Sequence, residues 1–221
     1  MDFDFAVIAD HWRFLASGVV VTIALSVLSG VTSLATGFVV ALGRLYGPRS
    51  LRVALVAYID SMRAIPVLVV LVWVFFALPI VAGVALPPFW AALLGLTIHL
   101  AAYAAEIIRA GIESVRPGQT RAAVALGMSP RQVLRRIVLP QAIVRMLPAF
   151  GSLLSVTIKD TAIASVIAVP ELMRQSETLA GQSFQPIEVY GFAMLVYFVL
   201  LFPVTRGIDR LYRRVAHLGR S

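Results

Sequence analysis

The chain has 221 residues, of which 60% are hydrophobic and 14% are charged, and its mean hydropathy is +0.90. A soluble domain carries roughly 25% charged residues, so this composition excludes a soluble globular protein and predicts an integral membrane protein. The formal charge is +8, from 19 Lys+Arg against 11 Asp+Glu, and the absence of cysteine excludes disulfides and thiolate metal sites.

The chain begins with Asp2, Asp4 and Asp10, where a cleavable signal peptide would carry positive charge. We therefore expect the first apolar segment to remain in the protein. Spanning a bilayer takes about 20 apolar residues, and five segments meet or approach that length. The predicted spans cover about residues 14–43, 64–86, 89–108, 142–168 and 189–205.

The first two predicted spans differ in character. Small residues such as Gly30 and Gly37 crowd the first, which predicts close packing with neighbouring helices. Before the second, Asp60 and Arg63 lie three residues apart on one helix face, which favours a structural ion pair and leaves a functional role open. Pro66 is expected to weaken or kink that helix and leave a carbonyl unpaired, which needs other helices or a cavity to satisfy it.

The third span contains His99, which we interpret as a hydrogen-bonded packing residue rather than a ligand. Tyr103, Glu106 and Arg109 follow at spacings of three residues. Glu106 and Arg109 can pair within the helix as it leaves the membrane. This structural role is favoured over a role toward a substrate.

A polar, arginine-bearing segment, residues 118–141, separates the third and fourth spans. Residues 120–126 are good helix formers, and Gly127 stands where a left-handed C-terminal cap is needed. The segment therefore predicts a short helix followed by a turn.

A second helix is predicted to begin with a capping box of Ser129 and Gln132, with Pro130 at its first position, and to end at Pro140. One of its faces is apolar and the remainder is basic. Periodicity alone fits an amphipathic element on a membrane surface. A DNA-binding helix-turn-helix is disfavoured because only membrane spans flank it. The third interpretation is a rigid docking element for a cytoplasmic partner.

The fourth span carries two adjacent charges, Lys159 and Asp160, in apolar surroundings. Exposure of either charge to hydrocarbon would cost about 2.5–3.5 kcal/mol, so both must face protein or water. Adjacent helix residues point about 100° apart, so at least one of them is expected to meet another helix. Two interpretations stay open, the lining of a transport path and interhelical structural pairing.

Basic residues gather on one side of the predicted topology, and such residues mark the cytoplasm. The acidic N-terminus, the uncharged loop 79–88 and the loop 171–188 fall on the other side. We therefore expect an external N-terminus and a cytoplasmic C-terminus, which requires an odd number of spans, and five fits. The basic side comprises Arg44, Arg49, Arg52, the region 109–145, and the tail residues Arg206, Arg210, Arg213, Arg214 and Arg220.

Six residues of the 118–141 segment stand at the spacing of a known motif. The segment resembles the cytoplasmic coupling motif of ABC importer permeases, which reads Glu-Ala-Ala, three residues, Gly, nine residues, Ile-x-Leu-Pro. One position departs, because Arg121 stands where the motif has Glu. The matching residues are Ala122, Ala123, Gly127, Ile137, Leu139 and Pro140.

Three other segments are similar to the polar amino acid uptake branch of that family, and the resemblance covers about residues 18–213. It implies an all-α integral membrane fold of five transmembrane helices with a cytoplasmic coupling-helix insertion, the type I ABC importer permease fold. A single domain over residues 1–221 is expected. The three segments are those around Arg63 and Pro66, around Tyr103, Glu106 and Arg109, and around Lys159, Asp160 and Thr161.

The same resemblance implies a non-catalytic permease subunit with no cofactor, while ATP and Mg bind a separate ATPase. The chain carries no G-x-x-x-x-G-K-S/T motif, which agrees with that expectation. Expected partners are a cytoplasmic ABC ATPase dimer, a second identical or homologous permease subunit, a periplasmic or extracellular solute-binding protein and membrane lipids. No nucleic acid is expected, and the expected location is the bacterial inner membrane.

The resemblance also assigns residues to two sites. The ATPase coupling site is expected at Arg121, Ala122, Ala123, Gly127, Met128, Ser129, Pro130, Ile137 and Pro140. The substrate path is expected at Arg63, Glu106, Lys159, Asp160 and Thr161.

The leading hypothesis is therefore a permease subunit of an ATP-driven importer of polar amino acids. The alternative is an ion-coupled secondary transporter that acts without an ATPase, with Lys159, Asp160 and Glu106 as ion-binding or titrating groups. It is disfavoured because no internal repeat is visible and five spans lack paired halves. A membrane-tethered DNA-binding regulator is a third hypothesis and would bind DNA in a salt-dependent way.

Overall fold

The computed structural model describes residues 4–216, and all regular secondary structure in that range is helical. Four of the described helices are long and apolar enough to cross a membrane, and a bent helix pair supplies a fifth span if counted as one. The predicted all-α membrane fold is confirmed. The predictions concerning Asp2 and Arg220 lie outside the described residues.

Eleven α-helices follow one another through the described range. Two π turns, Trp73–Ala77 and Leu134–Val138, join α4 to α5 and α8 to α9, and a 3-10 turn, Ala162–Ile167, extends α9. The helices are α1 (Ala6–Asp10), α2 (Trp12–Tyr46), α3 (Arg49–Ala64), α4 (Val67–Val72), α5 (Leu78–Ala82), α6 (Pro88–Glu113), α7 (Pro117–Ala125), α8 (Pro130–Val133), α9 (Leu139–Thr161), α10 (Leu172–Ser183) and α11 (Pro186–Val215).

Helix α6 lies at the centre of the fold, with α2, α3, α4 and α9 packed around it. The small residues predicted for close packing bring α2 directly against it. Gly37 has no room for a side chain, because a Cβ there would lie 2.6 Å from the Cβ of Ala104 and 2.9 Å from the carbonyl oxygen of Ala101. The two backbones are therefore in contact, as in the small-residue interfaces of membrane helices.

The second predicted span, residues 64–86, differs from the helices observed. The chain bends by 108° between Arg49–Ala64 and Val67–Ala82, so the kink expected at Pro66 is a complete break. Ile65 has extended backbone angles because the residue before a proline is disfavoured in the helical region. Gly83, at φ +66°, ends the second piece.

The connection from Glu171 to Glu188, interpreted above as a loop, contains helix α10. The wholly buried Glu171 carboxylate caps this helix by accepting from the backbone N–H groups of Met173, at 2.9 Å, and Arg174, at 2.7 Å. The Tyr197 hydroxyl of α11 donates to the same carboxylate at 2.9 Å, and Thr22 of α2 donates at 3.4 Å. Glu171 therefore ties α10 to α2 and α11.

Replacement of Gly37 by alanine is expected to lower the thermal midpoint of the purified protein. The new Cβ meets backbone atoms of α6 that cannot yield, and overpacking of this kind costs about 1–3 kcal/mol. The matched control is Gly30→Ala on the same helix, where the Cβ would lie 3.6 Å from the nearest side-chain atom. Equal midpoints for the two variants, measured by size-exclusion after heating, would contradict the close contact.

Candidate functional site

The turn between α7 and α8 has the local geometry predicted from its sequence. Gly127 is left-handed at φ +81°. Its N–H donates to the Val124 carbonyl at 2.9 Å, and the next N–H, of Met128, donates to the Ala123 carbonyl at 3.1 Å, which is a Schellman cap. Ser129 then opens α8 with a reciprocal capping box to Gln132.

The prediction that Pro140 ends the second helix is wrong. Residues Pro130–Ile167 form one helical rod of 38 residues. The π turn immediately before Pro140 explains this, since Leu139 donates to the Leu134 carbonyl, five residues back, and this wider turn replaces the regular one that a proline ring obstructs. The rod rests on α6 where Gly111 leaves space for the Met146 side chain.

The predicted coupling residues divide into an inner and an outer set. Ala123 is buried, and Met128 and Ile137 are partly buried, in a cluster with Val133 and Val138 that packs against α6 and α9. These side chains hold the α7–α8 unit on the membrane helices. The outer set is exposed and consists of Arg121, Ala122, Gly127, Ser129, Pro130 and Pro140.

Two apolar side chains on the outer surface were not predicted. Leu126 is 84% exposed and Val124 is 54% exposed at the end of α7. The sequence did contain a signal for the exposure of Leu126, because this residue directly precedes the capping glycine, where a helix end projects from the surface. A recess of about 520 Å³ along α8 and the π turn that follows it carries three exposed arginines; it is lined by Ser129, Arg131, Gln132, Arg135 and Arg136. We call the outer residues of 121–136 the docking surface.

A second candidate site lies at the break between α3 and α4. A cavity of about 550 Å³ opens there between the break, α6 and α9. The Tyr103 hydroxyl donates to the Arg63 carbonyl at 3.4 Å, so another helix satisfies a carbonyl freed at the helix end. The lining includes Arg63, Ile65, Pro66, His99, Tyr103, Ser152, Val156 and Asp160.

His99 was interpreted from the sequence as a hydrogen-bonded packing residue, and the structure modifies that interpretation. Its side chain is buried, its Nδ1 has no hydrogen-bond partner within the described residues, and it lines the cavity. Its ring lies 5.3 Å from that of Tyr103, one turn along α6, and the Arg63 guanidinium lies 5.9 Å from the centre of the Tyr103 ring. The spacing of four residues was the signal that could have joined His99 to Tyr103.

The two adjacent charges of α9 point to different places. Asp160 lines the cavity, whereas Lys159 is exposed beside Tyr197 and Leu201 of α11. Within residues 4–216 neither charge forms an ion pair, so the interhelical pairing considered for them is absent there. Thr161 is buried, and its hydroxyl donates to the Ile158 carbonyl at 2.8 Å.

Glu106 does not line this cavity and instead joins two helices. Its Oε2 accepts from Arg44 of α2 at 2.6 Å, and Arg109 donates to both of its carboxylate oxygens. Arg109 also pairs with Glu113. The expected pair between Glu106 and Arg109 is therefore present and extends to α2. The pair considered for Asp60 and Arg63 does not form among the described residues, where Arg63 lies beside Tyr103.

The sequence matches the profile of one protein family over residues 33–217, described as "Binding-protein-dependent transport system inner membrane component". The chain is 36% identical over 204 residues to the L-cystine transport system permease protein TcyL of Bacillus subtilis, covering 90% of this chain and 85% of that protein. It is 31% identical over 216 residues to the glutamine transport system permease protein GlnP of Escherichia coli, covering 97% of this chain and 99% of that protein.

Chains of solved ABC transporter structures have the same fold as this chain. The crystal structure of an amino acid ABC transporter with histidines contains a chain that superposes with a TM-score of 0.90 at 33% identity, covering 97% of this chain and 100% of that one. A chain of the MetNI methionine ABC transporter in an inward-facing conformation gives a TM-score of 0.79 at 22% identity, covering 93% and 98%, and supports the fold alone.

The chain belongs to the family of binding-protein-dependent transport system inner membrane components. It is thus a non-catalytic permease subunit of an ABC importer, with the type I importer fold, and the resemblance recognised in its sequence is confirmed.

Glu106→Gln is expected to destabilise the protein by about 1–2 kcal/mol, because Arg44 and Arg109 lose the carboxylate that joins them and all three groups are largely shielded from water. The matched control is Glu113→Gln, whose side chain is 52% exposed and whose loss is expected to cost at most about 0.5 kcal/mol. Thermal midpoints in detergent provide the measurement. A control variant as unstable as Glu106→Gln would show that the link between helices contributes nothing.

Proposed function

We propose that the chain, together with a second permease subunit, forms the translocation path of an importer for polar amino acids. An external solute-binding protein supplies the substrate, and a cytoplasmic ATPase dimer binds ATP and Mg and docks on the surface defined above. The permease relatives named for L-cystine and glutamine support the substrate class. In this proposal the N-terminus is external and the C-terminus cytoplasmic, because most of the arginines outside the spans fall on one side, whereas the 171–188 connection carries three acidic residues against Arg174.

The observation that carries the substrate proposal is the pair of opposite charges in one cavity. Arg63 and Asp160 both line the recess at the break between α3 and α4. A free amino acid carries a carboxylate and an ammonium group, so it can pair with both Arg63 and Asp160. An apolar solute can pair with neither. His99, whose Nδ1 has no hydrogen-bond partner among residues 4–216, supplies a further polar group, and the Tyr103 ring supplies a flat surface.

The docking surface supports the coupling proposal through its chemistry. The exposed residues of this surface include the apolar Ala122 and Leu126 and the basic Arg121, Arg131 and Arg135. An apolar core with a charged rim is the usual arrangement of a protein interface. The partner cleft that fits it has an apolar floor and acidic edges. Arg121, in place of the motif glutamate, adds to this positive rim.

The substitution Gly127→Val is expected to uncouple ATP hydrolysis from transport in the reconstituted complex. A β-branched residue at φ +81° is strained, which disrupts the cap that sets the angle between α7 and α8. Uptake per ATP hydrolysed in proteoliposomes is expected to fall about tenfold, whereas Gly127→Asn, which tolerates the left-handed conformation, retains most of the activity.

A side chain at this position has room, because within residues 4–216 no atom beyond the chain neighbours of Gly127 lies within 4 Å of a Cβ added there. Gly118→Val is the control for bulk, since that glycine also has open space around it and a negative φ. If Gly127→Val coupled as well as Gly118→Val, the turn geometry would have no part in docking.

Asp160→Asn is expected to reduce uptake about tenfold at low substrate concentration, since a charge-assisted contact of about 1.5–3 kcal/mol is lost. Stimulation of the ATPase by the loaded binding protein is expected to persist, because the docking surface is unchanged. Asp10→Asn, at an exposed position outside the cavity, is the control for charge. A loss of both uptake and ATPase stimulation would point to coupling instead and would contradict a substrate role for Asp160.

A further inference from the structure

The C-terminal half of α11 carries a basic surface that neither the docking surface nor the cavity uses. Four arginines, with Phe202 and Pro203, surround a recess of about 780 Å³ on one side of this helix. We call this set the α11 arginine patch; it consists of Arg206, Arg210, Arg213 and Arg214.

The patch continues an apolar stripe on the same side of α11. Phe198 is 60% exposed and Phe202 is 45% exposed, and their rings are stacked at 5.3 Å. At 100° per residue, Arg206, Arg210 and Arg213 project within about 80° of Phe202. The Arg206 guanidinium lies 5.2 Å from the centre of the Phe202 ring. One surface therefore passes directly from exposed apolar rings to guanidinium groups.

The position of the patch along the helix matches a membrane boundary. The uncharged stretch of α11 covers residues 189–205, and these 17 residues rise about 26 Å. The hydrocarbon core of a bilayer is about 30 Å thick, so Arg206 lies at its edge and Arg210, one turn later, lies among the headgroups. Long arginine side chains reach toward that layer while their stems stay on the apolar surface.

The charges of the patch are not neutralised within the described chain. None of its four guanidinium groups forms an ion pair with a carboxylate of residues 4–216. Asp209 is exposed on the same side of the helix and reduces the net charge of the surface from four to three. An anionic ligand with an apolar tail satisfies both the charges and the exposed rings.

We propose that the α11 arginine patch is a binding site for the phosphate headgroup of an anionic phospholipid, whose acyl chains lie along the stripe of Phe198 and Phe202. The lipid belongs to the leaflet at the C-terminal end of α11. Clusters of arginines just beyond a membrane span attract anionic lipids through charge, and a phosphate accepts paired guanidinium hydrogen bonds.

The test is a lipid titration of the full-length chain, purified in detergent, with bound lipid counted by native mass spectrometry. The probes are dioleoyl phosphatidylglycerol and dioleoyl phosphatidylcholine. The double variant Arg206→Gln/Arg210→Gln is expected to bind phosphatidylglycerol at least about tenfold more weakly, with phosphatidylcholine unchanged. The matched control, Arg49→Gln/Arg52→Gln, removes two exposed arginines from another basic connection and is expected to bind like the unaltered chain.

Two further arms keep the proposal falsifiable. Asp209→Asn is expected to tighten phosphatidylglycerol binding roughly threefold, and this variant removes only an exposed charge. Millimolar inorganic phosphate is expected not to displace the lipid, whereas displacement would mean that a free anion is the ligand. Equal losses in both double variants would mean diffuse charge attraction. Unchanged phosphatidylglycerol binding in Arg206→Gln/Arg210→Gln would leave the patch for a protein partner; either result overturns the proposal.

Discussion

The direct contact between the backbones of α2 and α6 at Gly37 is the constraint on which the remaining structure depends. Without a hydrophobic force between helices in lipid, close van der Waals packing and a few polar links hold them together. Gly37 supplies the close packing. The ion pair from Arg44 to Glu106, two turns further along α2, supplies a polar link. With α2 fixed on one side, α6 offers its other sides to α3, α4 and α9. The cavity and the docking surface both lie on elements positioned in this way.

The break at Pro66 interrupts a membrane helix and forms part of the wall of the cavity. A proline that ends a helix frees carbonyl groups, and lipid cannot satisfy them. The Tyr103 hydroxyl reaches the Arg63 carbonyl, and the bend of 108° leaves an open volume beside it. The Tyr103 hydroxyl that satisfies the backbone carbonyl of Arg63 thus belongs to a residue that also lines the cavity. A buried carboxylate, Glu171, has the corresponding role at the other broken region, where it caps α10 and holds Tyr197.

Local chemistry was readable from the sequence wherever one or two residues determine it. The left-handed Gly127, the capping box of Ser129 and the pair between Glu106 and Arg109 follow from spacing alone. The continuous helix through Pro140 was not readable, because a π turn leaves no composition signal and this one packs against the separate helix α7. The separation of Lys159 from Asp160 followed from the 100° rule, but their surroundings depend on tertiary contacts. The neighbour of Arg63, Tyr103, belongs to another segment, so no local pattern contained that contact, whereas the spacing of four residues on α6 does join His99 to Tyr103.

The unbroken rod from Pro130 to Ile167 has a mechanical consequence. Its contact with α6 at Met146 stands about 24 Å from Pro130 and about 21 Å from Asp160, at 1.5 Å per residue. These lengths divide the rod into two nearly equal arms on either side of that contact. A rigid tilt of about 10° around that contact would move each end by about 4 Å, in opposite directions. A displacement applied outside the bilayer would therefore reach the cavity wall reversed in sense and almost undiminished in size.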